Sequence, residues 1–105
     1  VFKAEEALDK GLVSELHAPA ELLPRAREIA REFTAGTSAV SVAIARRLLW
    51  RMQGAAHPRE AFTLESKALW YVGGAPDSRE GVLSFLEKRA PQFTMRVSSD
   101  FPDFL

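Results

Sequence analysis

An all-α fold of about five helices follows from three features of the sequence. Apolar residues recur at spacings of three and four in several long stretches. Glycine and proline breaks, such as Gly54 and Gly73-Gly74-Ala75-Pro76, separate those stretches. No segment has the strict polar-apolar alternation of a half-buried strand.

The elements follow in order. Ala4 to Lys10 reads as a short helix, with Gly11 placed to end it in the left-handed conformation. Leu12, Val13 and Leu16, with polar spacers, suit an extended connector or short strand. Pro19 and Pro24 bracket a helix start, and Pro24 fits only a first turn, where its missing N–H costs nothing. Ala26, Ile29, Ala30 and Phe33 then keep the helical period.

Ala35-Gly36-Thr37 is a turn, and Ser38 is placed to cap a second long helix. Val40, Ile44, Leu48 and Met52 step by four along it, and Ala43, Ala45 and Leu49 widen the apolar stripe enough for both sides to be covered. Pro58 suits the first turn of the next helix, where Phe62, Leu69 and Val72 form the expected apolar side with Trp70 beside them.

The run DSREGVLSFLEKRAPQ, Asp77 to Gln92, comes next. Asp77 is placed to cap a helix and Glu80, three positions on, to answer the cap. Val82, Phe85, Leu86 and Arg89 share a face, and Ala90-Pro91 ends the helix. Gly81 is costly there, by roughly 1 kcal/mol against Ala. Residues 94–105 carry Phe101 and Phe104 without a period, and we expect an extended tail that needs a surface to lie on.

Composition narrows the function classes. At 105 residues the chain suits one small domain, residues 1–105, with a modest core. Apolar content of 47% excludes a disordered chain. Fourteen acidic residues balance fourteen basic ones, which argues against a nucleic-acid partner. No apolar run approaches the roughly 20 residues that span a bilayer, so no membrane partner is expected. The absence of cysteine excludes disulfides and Cys-based zinc sites and favours a cytoplasmic location. Val1 in place of a methionine, and a last segment without a clear finish, point to a piece of a longer polypeptide.

Four stretches in this order carry a resemblance: FKAEEALDKGLVSEL at 2–16, ELLPRAREIAREF at 21–33, SAVSVAIARRLL at 38–49, and Leu64-Glu65 paired with DSREGVLSFLEKRAPQF. Together the chain resembles the C-terminal region of the crotonase superfamily, the enoyl-CoA hydratases and isomerases. The resemblance implies a helical domain that drives formation of trimers or hexamers and helps close an acyl-CoA site. It implies that the oxyanion hole and the proton-transfer carboxylates belong to a preceding ββα domain. No residue here is therefore assigned as catalytic, and the chain alone is expected to be inactive. No metal and no covalently bound cofactor are implied, and acyl-CoA enters as substrate.

By the same resemblance, Phe85 and Lys88 match the pair that contacts the CoA nucleotide of a neighbouring subunit. An aromatic face packs on adenine, and an ammonium meets a phosphate. Leu69 stands where some relatives place an apolar group near the acyl chain. Ser84 replaces a common Ala, and Arg46-Arg47 stands where relatives usually have a Lys.

Simpler explanations compete. Pattern alone favours Phe85 as a core residue and Lys88 as a solvated charge at a helix end. Glu65 and Glu80 have structural explanations. His17 and His57 lack metal-ligand spacing. Arg25, Arg27 and Arg31, interleaved with Glu28 and Glu32, read as a mixed solvated face. The implied reaction is hydration of 2-enoyl-CoA thioesters. Double-bond isomerisation in the same family, or a free-standing helical interaction module unconnected to CoA, are the alternatives.

Overall fold

Six helices occupy the described residues, 2–105, of a computed structural model: α1 (Ala4–Asp9), α2 (Pro19–Glu32), α3 (Ala39–Met52), α4 (Pro58–Gly73), α5 (Pro76–Glu87) and α6 (Val97–Asp100). No strand occurs among these residues. The chain divides into two compact units, residues 1–33 and 34–105.

In the first unit, α1 ends as expected. Gly11 takes a φ of 70°. The Gly11 N–H donates to the Leu8 carbonyl at 3.0 Å and the Leu12 N–H to Ala7 at 2.8 Å, which satisfies two orphan carbonyls. The connector after it forms turns and bends instead of a strand.

Helix α2 departs from expectation at Pro24. The helix begins five residues earlier, with Pro19 in its first turn, so Pro24 lies inside it. Pro19 is the better starter because its fixed φ fits the first turn. Pro24 then leaves the Ala20 carbonyl without its helical donor, and its exposed position lets water take that place. No residue of α2 is fully buried.

The arginine face of α2 is less solvated than its pattern suggests. Arg25 forks onto Glu15, with Nε–Oε2 at 2.8 Å and Nη2–Oε1 at 2.9 Å, and Nη1 donates to Glu28 at 3.2 Å. His17 Nε2 lies 2.7 Å from the same Glu15. The fork pins the connector to α2 and, with His17, pulls the Glu15 carboxyl from its ordinary 4.5 to about 2.

In the second unit the four-residue step of α3 marks its buried face. Val40 is fully buried, Ile44 and Ala68 nearly so, and Leu48, Tyr71, Val72 and Met95 pack around them. Leu49, on the wider stripe, is 72% exposed, so the second side of α3 is uncovered. On α4 the inward positions are Ala68, Tyr71 and Val72; Phe62, Leu69 and Trp70 face outward. Apolar residues surround most of this helix, so the sequence pattern alone could not choose the inward side.

Residues 97–100, inside the expected extended tail, form the single helical turn α6. The tail finds its surface on α3 and α4. Phe101, Phe104 and Leu105 pack against the core cluster. The Tyr71 hydroxyl donates to the Asp100 carbonyl at 2.8 Å, and its ring meets Phe104 edge-on at 6.3 Å. Arg47 lies 5.8 Å over the Phe101 ring, and Arg51 Nη1 donates to the Phe104 carbonyl at 3.0 Å.

Candidate functional site

The site expected from sequence lies at the end of α5, and its supports differ from those expected. Ala75, not Asp77, is the N-cap of α5, and it makes no side-chain cap bond. Pro76 takes the first helical position. Asp77 is therefore carried inside the first turn and is buried. Its Oδ2 accepts from the Ser38 hydroxyl at 2.6 Å, and its Oδ1 accepts from the Thr94 N–H at 2.8 Å and the Met95 N–H at 3.2 Å. Burial pushes this carboxyl up, but the Ser38 hydroxyl and the two N–H groups outweigh it, and the net direction is down. Ser38 still caps α3, accepting from the Ser41 N–H at 3.5 Å.

Glu80 does not answer a cap either. It forks onto Arg89, with Oε1–Nη1 at 2.5 Å and Oε2–Nη2 at 3.0 Å. Its Oε1 also accepts from the Gln92 N–H at 2.7 Å. Arg89 first, then the Gln92 N–H, pull the Glu80 carboxyl from 4.5 to about 2. Arg89 turns its Nε to Glu87 at 2.6 Å. A run that reads as a basic cluster thus has its arginine engaged with two carboxylates.

Lys88 stands at the turn itself. Its φ of 54° and ψ of 41° are left-handed. The Lys88 N–H donates to the Phe85 carbonyl at 3.3 Å and the Arg89 N–H to Ser84 at 3.0 Å. This is the same pair of closing bonds that ends α1, where Gly11 holds the left-handed position. A residue with a Cβ takes that conformation at roughly 1 kcal/mol or more relative to glycine.

One turn back, the Phe85 side is 82% exposed, and Val82 and Leu86 beside it are also open. Phe85 is therefore not the core residue that pattern alone favoured. The inward positions of α5 are Asp77 and Ser84, and the Ser84 hydroxyl donates to the Gly81 carbonyl at 3.1 Å. Gly81 faces the Phe93 ring; an added Cβ would meet it at 3.7 Å, an ordinary contact. Leu69, on α4, is 69% exposed. An open groove of about 560 Å³, lined by residues such as Arg51, His57, Arg59 and Lys67, includes neither Phe85 nor Lys88.

No three His, Asp or Glu side chains converge on a metal-sized point among the described residues. No helix among the described residues is long and apolar enough to cross a membrane.

Comparison with known proteins decides the family. The sequence model described as enoyl-CoA hydratase/isomerase matches residues 1–96. The chain belongs to the enoyl-CoA hydratase/isomerase family. Among curated members, the enoyl-CoA hydratase AFT3-1 of Alternaria alternata is 43% identical over 102 residues, covering 94% of this chain and 34% of that protein. The chain spans about a third of the length of the curated relatives it matches.

Solved members of the family share the helical arrangement. A crystal structure described as a probable enoyl-CoA hydratase/isomerase from Mycobacterium abscessus superposes with a TM-score of 0.75 at 25% identity, covering 90% of this chain and 37% of that one. The enoyl-CoA hydratase of Mycobacterium tuberculosis H37Rv superposes at 0.69 with 31% identity, covering 87% and 35%. The family inferred from the four sequence segments and the all-α class inferred from helical spacing and the lack of strand alternation are thus both correct.

Proposed function

We propose that this chain is the C-terminal helical part of an enoyl-CoA hydratase-like enzyme, where it drives oligomerisation and helps close the acyl-CoA site. The family match over residues 1–96 carries this reading. In the complete enzyme, water adds across the C2–C3 double bond of a 2-enoyl-CoA, the hydroxyl going to C3 and a proton to C2. Oxyanion donors and proton-transfer carboxylates outside this chain stabilise the intermediate enolate. The subunits are expected to form trimers or hexamers.

Phe85 and Lys88 contact the CoA nucleotide of a neighbouring subunit in this reading. Two features support them. The Phe85 ring stands open to solvent, where an adenine can stack on it. Lys88 occupies a backbone conformation that is costly for its residue type, and such outliers collect at functional sites.

Titration of coenzyme A against the complete protein tests the assignment. Phe85→Ala and Lys88→Ala should each weaken binding by about 1–2 kcal/mol, tenfold or so, because each removes one partly solvated contact. Unchanged affinity in both variants would remove the nucleotide role.

A further inference from the structure

Helices α1 and α5 close with the same two backbone bonds, yet they place different residues at the left-handed position. Helix α1 uses Gly11, which adopts φ of 70° freely. Helix α5 uses Lys88, the only non-glycine residue with positive φ among those described. Something other than local preference must hold Lys88 there.

The surroundings of Lys88 supply that hold. Glu80 lies nearly two turns back on α5 and reaches past the end of the helix. It grips Arg89 with both carboxylate oxygens and the Gln92 N–H with one of them. Arg89 Nη1 also donates to the Ala90 carbonyl at 3.2 Å, and its Nε donates to Glu87. Residues 89–92 are thereby tied to the body of α5, and the left-handed turn at Lys88 carries the chain between them. The same ties engage the Arg89 charge, whereas the Lys88 ammonium beside it makes no ion pair among the described residues.

We propose that Glu80 is a positioning residue for coenzyme A. Its clamp on Arg89 and Gln92 keeps the α5 end closed, so the Lys88 ammonium is presented in a fixed position beyond the Phe85 turn of the helix. This rests on the reading of Phe85 and Lys88 as nucleotide contacts. The physical gain is preorganisation: a lysine on a frayed helix end would have to be ordered when the phosphate arrives, and that ordering subtracts from affinity.

A double-mutant cycle on the complete protein tests it, with calorimetric titration of coenzyme A into wild type, Glu80→Ala, Lys88→Ala and the double variant. Lys88→Ala should weaken binding about tenfold, and Glu80→Ala about fivefold in the wild-type background. Once Lys88 is absent, Glu80→Ala should add almost nothing. Lys88→Gly, which relaxes the turn and removes the ammonium, should bind as weakly as Lys88→Ala. Circular dichroism confirms that each variant is folded, and Glu80→Gln, which keeps the shape and loses the charge, replaces Glu80→Ala if the latter does not fold. An equal loss from the Glu80 change in both backgrounds, or none in either while Lys88→Ala weakens binding, overturns the positioning role. Full affinity in Lys88→Ala removes the Lys88 contact from the nucleotide reading, and the positioning role with it.

Discussion

Asp77 is a residue whose sequence neighbourhood suggests one job and whose structure gives it another. A carboxylate ahead of a helical run is a natural cap, but Pro76 starts the helix one position sooner and carries Asp77 inward. There it joins the α3 cap Ser38, 39 positions away, to the backbone at Thr94 and Met95, 17 and 18 positions away. Asp77→Ala would strand a buried hydroxyl and two N–H donors. We expect a loss of about 3 kcal/mol in unfolding free energy, since each unsatisfied buried donor costs roughly 1–3 kcal/mol. Asp77→Asn, which keeps an acceptor, should lose less. Urea unfolding measures both, and a change below about 0.5 kcal/mol in the alanine variant would show that the hub is replaceable by water.

The elements separate into those that local sequence specifies and those that tertiary contacts specify. Helix α3 was legible because its apolar residues step by four and a serine precedes them. The end of α1 was legible because a glycine stands where a left-handed turn is needed. The start of α2 is ambiguous in the sequence because two prolines, Pro19 and Pro24, compete for one first turn. The partners of Asp77 and Glu80 lay beyond reach, since their hydrogen bonds cross from one element to another. The outward direction of Phe85 was likewise hidden, because periodicity defines a face without saying what covers it.

Two surface forks close elements, and both titrate. Glu15 and Glu80 are each drawn from 4.5 to about 2 by an arginine fork. A lowered carboxylate pKa stabilises the folded state fully above 4.5 and progressively less as pH falls toward 2. Thermal midpoints should therefore drop across that window, and Glu80→Gln should flatten part of the slope. A slope unchanged by Glu80→Gln would mean that the fork adds nothing to stability.

On the scale of the whole molecule, the exposed apolar residues are the prominent feature. Trp70 is 88% exposed, Phe85 82%, Leu49 72% and Phe62 71%. Exposed apolar side chains on this scale are the material of interfaces when they form contiguous patches. The proposed oligomerisation predicts that light scattering on the isolated chain gives a mass above 11.6 kDa that rises with concentration. A constant monomer mass would count against it.

The carboxylate of Asp77 also makes distant backbone sites report on one another. The amide protons of Thr94 and Met95 are both held by one carboxylate oxygen, Oδ1, while the other, Oδ2, accepts from the Ser38 hydroxyl. Loosening at the start of α3 should be legible in how fast those two protons trade with deuterium, far along the chain from where the opening begins.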